Sequence, residues 1–221
     1  MKIYKLSYIL MPAAIILAFL WAPEAAILGN TSRVVYFHVP VAWVSVLAFL
    51  VSGVNSIMLL ADKKNRSYIL EERAYNSAKI GIICTILATV TGSMWAKLSW
   101  GTYWNWDPRE TSITILLLIY IAYFSLRSAL AHNENRDKIG SVYLIFTMVV
   151  MPFFIFVIPR IYPSLHPNPI INADRKLQMN ANMRVALLTS AISFTLLYFY
   201  IFFLSNRVSK LKQKIKMIKE K

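Results

Sequence analysis

Six stretches of the sequence, about 6–22, 40–61, 80–96, 112–130, 141–159 and 185–204, are apolar over nearly all of a length that can cross a bilayer. A helix needs about 20 such residues to span a hydrocarbon core roughly 30 Å thick. Inside that core the backbone has no water to bond, so a spanning chain is restricted to helices or closed barrels. The runs lack the alternation of barrel strands, which selects helices. The third run is short, but Lys79 and Lys97 bracket it and can extend outward to the interfaces. With 57% hydrophobic residues in 221, the chain is too apolar for an ordinary soluble domain. The expected fold is an all-α polytopic membrane protein of about six transmembrane helices. It shows neither internal repeat nor low-complexity linker, so 1–221 reads as one domain.

The net charge of +14 raises nucleic acid as a partner, but the distribution of the basic residues argues against it. With the N-terminus placed in the cytoplasm, the inner segments hold Lys2 and Lys5, then Lys63, Lys64, Arg66, Arg73 and Lys79. Arg127, Arg136 and Lys138 follow, with seven more between Arg207 and Lys221, so seventeen of the 24 lysines and arginines lie inside. Positive residues favour the cytoplasmic side, so both termini read as cytoplasmic. The tail "NRVSKLKQKIKMIKEK" reads as a solvated basic stop near anionic lipid. The first run follows a basic start and resembles a signal peptide, but its length and the lack of a small-x-small site favour an uncleaved anchor. Cys84 is the only cysteine, which excludes an internal disulfide and a CxxC redox site; it reads as a small core residue.

This topology leaves outer loops at about 23–39, 97–111 and 160–184, and inner loops at about 62–79 and 131–140. The first outer loop is apolar enough to lie along the interface, and the first inner loop has room for a short surface helix. Pro40 disfavours α geometry at Val39 and suits the opening of the second span. Pro152 and Pro159 predict a kink or early end in the fifth span, and Pro163, Pro167 and Pro169 a non-helical start to the third outer loop.

The segment "WGTYWNWDPRETS", residues 100–112, concentrates Trp100, Tyr103, Trp104 and Trp106 before a run of charges. Asp107, Pro108 and Glu110 fit an N-cap, a first helical position and a capping-box partner, so the fourth span is expected to begin here. A helix N-terminus also offers free N–H groups to an anion. An interfacial aromatic belt accounts for Trp21, Trp43 and Trp95. It accounts less well for four rings in one loop, and an aromatic shelf for a flat apolar ligand is an equal alternative. If the stretch were helical, Trp100, Trp104 and Asp107 would share one face.

Of three histidines, His132 falls inside, where capping or solvation suffices. His38 and His166 fall outside, on the loops flanking the aromatic one. Two neutral imidazoles can ligate one haem iron from opposite faces. Zinc fits poorly, because no clear third ligand accompanies them. Arg109, Arg33 and Arg160 lie on the same side and could pair with haem propionates; Arg109, within the aromatic segment, is the best placed.

"WGTYWNWDPRETS" resembles the tryptophan-rich (WWD) signature of haem-handling proteins of cytochrome c biogenesis. "RVVYFHVPVAW", residues 33–43, and "PSLHP", around His166, are similar to the two external-histidine segments of the cytochrome c maturation protein C (CcmC) family. The resemblance implies a single haem-handling domain in the bacterial inner membrane. It would hold haem b on its outer face and pass it to the periplasmic chaperone CcmE, beside the ABC transporter subunits CcmA and CcmB and the small membrane protein CcmD. It implies His38 and His166 as axial ligands, with Trp100, Gly101, Trp104, Trp106 and Asp107 carrying the haem. Pro108 and Glu110 look closer to the larger CcsA-type synthases, which carry additional histidines within their spans.

The sequence offers no bond-making nucleophile, so binding and transfer are expected rather than catalysis. The rival readings are a CcsA-like cytochrome c haem lyase, a haem transport permease subunit and a purely structural scaffold. The lyase needs haem attachment without a separate chaperone. The permease needs a polar path, whereas the ionisable residues lie near the span ends. The scaffold predicts no cofactor.

Overall fold

The computed structural model of the chain describes residues 3–26, 28–62, 67–166 and 179–219. Lys2, Lys63, Lys64, Arg66, Pro167, Pro169, Arg175, Lys176 and Lys221, which enter the expected charge balance and outer loop, lie outside the described residues. The described residues form seven α-helices and no β-strand. These are α1 (Ser7–Ile16), α2 (Val35–Leu60), α3 (Ser67–Trp100), α4 (Pro108–Ala129), α5 (Arg136–Pro152), α6 (Ile158–Ile161) and α7 (Ala181–Lys219). Six helical stretches are long and apolar enough to cross a membrane: Tyr4–Trp21, Asn30–Leu60, Tyr68–Trp100, Pro108–Ala129, Arg136–Ile161 and Ala181–Lys219. The protein is a multi-pass helical membrane protein.

Helices in lipid gain little from hydrophobic burial against one another, so close backbone approach and hydrogen bonds hold them together. α2 and α3, antiparallel, form the most intimate pair. The Ser52 hydroxyl donates to the Ala74 carbonyl at 2.8 Å, and the Ser77 hydroxyl to the Ala48 carbonyl at 2.6 Å. Ala48 and Ala78 are fully buried. A Cβ at Gly81 would run into the Phe49 ring, so only glycine lets that ring lie on α3. On its other face Phe49 stacks on Tyr120 of α4, the centroids 3.4 Å apart. α7 joins through Tyr198, whose hydroxyl lies 2.8 Å from that of Ser77. α1 runs antiparallel beside α7, with Tyr4 against Tyr200 and Phe203 and with Ala18 and Ala22 near Met183 and Ala186. Segments 22–26, 28–34, 101–107 and 162–166 therefore gather at one end of the bundle, and Tyr4 and the end of α7 at the other.

The element boundaries differ from the sequence expectation in four places. α3 begins at Ser67 and absorbs most of the expected inner loop, because Leu70, Glu71, Glu72, Arg73 and Ala74 are all good helix formers. It also runs on to Trp100, which removes residues 97–100 from the expected outer loop. α7 continues to Lys219, so the basic tail is helix; Leu211, Ile215 and Ile218 recur at helical spacing between its lysines. α2 starts at Val35, with Val39 helical and Pro40 in its interior, and His38 therefore lies on a helix rather than in a loop. Between the π-helical turn at Leu17–Trp21 that follows α1 and the start of α2, the described residues include a 3-10 turn at Asn30–Val34.

Pro40 is tolerated for a local reason. Lacking an N–H, it leaves the Tyr36 carbonyl without its intrahelical partner, and the buried Ser190 hydroxyl of α7 donates to that carbonyl instead. The fifth span shows the break its prolines predict: it turns π-helical at Phe153–Val157 directly after Pro152 and stops at Ile161.

The Tyr36–Ser190 bond gives a double-mutant prediction. Ser190→Ala is expected to destabilise the protein by about 1 kcal/mol. The same change should cost close to nothing in a Pro40→Ala background, where residue 40 regains an N–H for Tyr36. Unfolding midpoints of the four proteins in detergent measure the coupling, and equal costs in both backgrounds would refute it.

Candidate functional site

The tryptophan end of the bundle is organised around Asp107. The segment before it cannot be one helix. Gly101, with φ of +85°, ends α3 by donating its N–H to the Lys97 carbonyl, and Pro108 opens α4. Residues 101–107 are thus a connecting loop, which overturns the single helical face of Trp100, Trp104 and Asp107. The expected capping box is present. Asp107 accepts from the Arg109 N–H at 2.9 Å, and Glu110 accepts from the N–H groups of Asn105 and Asp107 at 2.7 and 3.3 Å. Those bonds hold the loop so tightly that Trp106 adopts a φ of +56°, the one positive value at a non-glycine among the described residues. Its ring is thrown outward and remains 76% exposed.

The Asp107 carboxylate does more than cap. Its second oxygen accepts from the Ser164 hydroxyl at 2.8 Å and the Leu165 N–H at 2.7 Å, and its first from His166 Nδ1 at 2.9 Å. The His166 N–H returns a bond to Ser164 Oγ at 3.2 Å. One buried carboxylate thereby fastens the 164–166 segment to the start of α4. Burial alone would raise the Asp107 carboxyl, but the bonds from Arg109, Ser164 and Leu165, with the His166 charge, hold it below the usual range. Burial pushes the His166 imidazole down to about 4, helped by the charges of Arg109 and His38 and opposed by Asp107. At neutral pH an ionised carboxylate therefore faces a neutral ring. The carboxylate can only accept, so Nδ1 carries the proton and Nε2 keeps its lone pair.

His38 reaches the same condition by a different route. Its Nδ1 lies 3.0 Å from Thr91 Oγ1 on α3. The Thr91 hydroxyl hydrogen is directed to the Leu87 and Ala88 carbonyls, at 2.8 and 3.2 Å, so its oxygen is left to accept from His38. With the hydroxyl hydrogen so directed, Nδ1 is assigned as the donor here too, and the Ala88 carbonyl is a second, backbone partner of the ring. The ring rests on Gly92, where a Cβ would stand 3.0 Å from Cε1. Four residues beyond Thr91 on α3, the Trp95 ring lies 5.8 Å from the His166 ring, and the Trp100 ring meets His166 edge-on at 4.8 Å. A rise of about 6 Å along one helix thus separates the supports of the two imidazoles.

The remaining candidates divide. Trp95, expected in an interfacial belt, instead packs against Trp100 and His166, whereas Trp21 and Trp43 stay 44% and 47% exposed, as a belt requires. Trp104 and Trp106 form a second edge-to-face pair, 6.0 Å apart. Trp106 overhangs a groove of about 300 Å³ lined by Thr111, Ile115, Phe154, Ile158 and Tyr162. Arg109 acts on His166 through its charge. Arg33 is committed elsewhere: it donates to the Ala18 and Ala22 carbonyls, where a π-helical turn closes the first span, and to Asn30. Arg160 donates to the Phe156 carbonyl at 2.6 Å. His132 is exposed at the opposite end of the bundle. Thr91, Gly92 and Ser164 went unread in the sequence, and Trp95 was read only as a belt residue. Only the i, i+4 spacing of Thr91 and Trp95 could have hinted that α3 turns one face toward the histidines.

The donor set fits a haem better than a bare ion: two imidazoles with free Nε2 atoms, flanked by two aromatic pairs and a cation. The family model for Heme exporter protein C matches residues 1–221. A Heme exporter protein C of Bradyrhizobium diazoefficiens is 29% identical over 197 residues, covering 89% of this chain and 73% of the relative. Those of Rhodobacter capsulatus and Haemophilus influenzae are each 28% identical, over 92% and 96% of this chain and 83% and 84% of the relatives.

The burial of His166 has a consequence for pH dependence. Folded, it binds its proton near pH 4, against about 6.5 when unfolded. Between those values the unfolded state holds more protons, so stability rises with pH across that window and gains nothing from this group above it. The thermal midpoint in detergent is expected to climb from about pH 4.5 to about pH 6.5, and His166→Ala to flatten the climb. An equally steep climb in the variant would assign the slope to another group.

Proposed function

The chain belongs to the Heme exporter protein C family, and from that premise we propose that it binds haem b at the outer face of the bacterial inner membrane and delivers it to the periplasmic chaperone CcmE for c-type cytochrome biogenesis. The observation that carries this reading is the matched state of the two histidines. Each gives its Nδ1 proton to a fixed acceptor and presents Nε2. The excess of lysine and arginine at the end holding Lys5 and the tail of α7 supports placing the histidines on the opposite, outer side. CcmA, CcmB and CcmD are the partners expected beside it.

In this reading the protein supplies position and exclusion of water, and the iron of the bound haem supplies the ligand chemistry. His38 and His166 hold the metal. Trp100, with Trp95, buttresses His166, while Trp104 and Trp106 offer edges and faces to the porphyrin. The groove beneath Trp106 receives an apolar edge, and Arg109 pairs with a propionate. Asp107, buried and fully engaged, serves through His166. Gly101 serves through the backbone turn that directs the tryptophan loop.

Full-length protein purified in detergent from haem-replete cells is expected to show a low-spin bis-imidazole spectrum. His38→Ala and His166→Ala should each abolish it, and His132→Ala should leave it unchanged. Trp104→Ala and Trp106→Ala should each weaken haem affinity roughly two- to tenfold, the worth of one aromatic contact. Identical spectra in the wild type and both ligand variants would remove these histidines as ligands.

A further inference from the structure

Both histidines present Nε2, but what stands behind them differs in kind. His166 donates to a carboxylate that cannot donate in return, is itself buried, and accepts three further hydrogen bonds that fix its place. His38 donates to a neutral hydroxyl already polarised toward the Leu87 carbonyl. A charged acceptor draws the Nδ1 proton away from the ring more strongly than a neutral one and leaves Nε2 the better electron-pair donor. The mechanical supports differ as well. His166 is braced by Trp95 and Trp100, whereas on α3 the ring of His38 has only neutral partners, the Thr91 hydroxyl and the Ala88 backbone, and rests on Gly92 without an aromatic brace.

Resting on the haem-binding reading above, we infer that the two ligands are unequal: His166, backed by Asp107, is the retained ligand, and His38, backed by Thr91, is the one an incoming ligand displaces when haem is handed on. The step is an exchange of lone-pair donors at the iron. The His38 Nε2 bond breaks, the bond to the incoming donor forms, and neither proton nor electron is transferred. Thr91 is then a positioning residue. It holds the His38 ring with enough strength to complete the coordination and too little to resist replacement. A transfer protein needs this inequality, since two equally strong ligands would leave no preferred face for the acceptor.

Carbon monoxide serves as the incoming ligand in the test, added to the reduced, haem-loaded full chain. It replaces one imidazole, and the iron–carbon and carbon–oxygen stretching frequencies report which one stays. The wild-type adduct is expected to match that of His38→Ala, in which only His166 remains, and to differ from that of His166→Ala. Thr91→Val, which removes the acceptor and keeps the shape, should lower the carbon monoxide concentration for half-displacement about fivefold, the worth of one hydrogen bond. Thr91→Ser should restore the wild-type value. The Thr91 arm leaves both ligands in place, so it decides the matter even where an alanine variant fails to load. A wild-type adduct matching His166→Ala, or a half-displacement unmoved by Thr91→Val, overturns the inference while the haem-binding reading stands. A wild-type protein that takes up no haem overturns both.

Discussion

The fixed register between α2 and α3 is the constraint on which the rest of the structure depends. Two serine hydroxyls reach across to carbonyls of the facing helix, one in each direction, and small residues let the backbones approach closely enough for them to do so. In lipid such contacts replace the hydrophobic drive that would align two helices in water. Once Ser77 is opposite Ala48, the antiparallel helices have no freedom about what meets further along. Phe49 falls on Gly81, and His38 falls on Thr91 and Gly92. A slip of one residue would rotate that face by about 100° and take Thr91 away from the imidazole. The placement of one candidate ligand is therefore decided by packing far down the bundle.

The second ligand is placed by a different principle. His166 lies on an irregular segment that has no helical ladder to hold it, and the Asp107 carboxylate supplies the missing donors' partner. Because Asp107 is also the N-cap of α4, the geometry of the His166 segment is inherited from a helix end. Glu110 performs the reciprocal task on the tryptophan side, gripping the backbone at Asn105 and Asp107 and forcing Trp106 outward. Two acidic residues three positions apart thus orient an imidazole on one side and a pair of indoles on the other. Charge near a helix N-terminus is favourable in itself, so the arrangement strengthens the helix while it builds the site.

How much of this was legible follows from the range of each interaction. The six spans, the capping box and the gathering of His38 and His166 at one end depend on hydropathy and on spacings of a few residues. These are visible along the chain. Pro40 misled because its rescue comes from Ser190, 154 residues from the carbonyl it satisfies. Trp95 read as a belt residue because nothing local distinguishes it from Trp21 or Trp43; its partner His166 arrives from another span. Thr91 and Asp107 meet their histidines across 53 and 59 residues, so the register between helices, which no local pattern encodes, decides them. Asp107 itself was recognised as a cap, and its role behind His166 was hidden by the same distance.

A protein that must bind a cofactor firmly and still release it to a partner meets opposing requirements, and under the proposed function the two halves of this site would answer them separately. The half built on α2 and α3 is rigid in its backbone and modest in its chemistry: a neutral hydroxyl and a glycine shelf behind His38. The half built on α4 and the 162–166 segment is irregular in its backbone and strong in its chemistry: a buried carboxylate with four donors around it. Rigidity fixes where the weaker donor stands, so its bond need not be strong to form in the right place. In the proposed reading, the carboxylate makes the other bond strong enough to hold after the first is lost. The exposed indole of Trp106 and the half-buried one of Trp104 complete the site from the open side, where an acceptor protein would have to approach. On that proposal holding and release fall to different parts of the bundle, and the loop between α3 and α4 joins them.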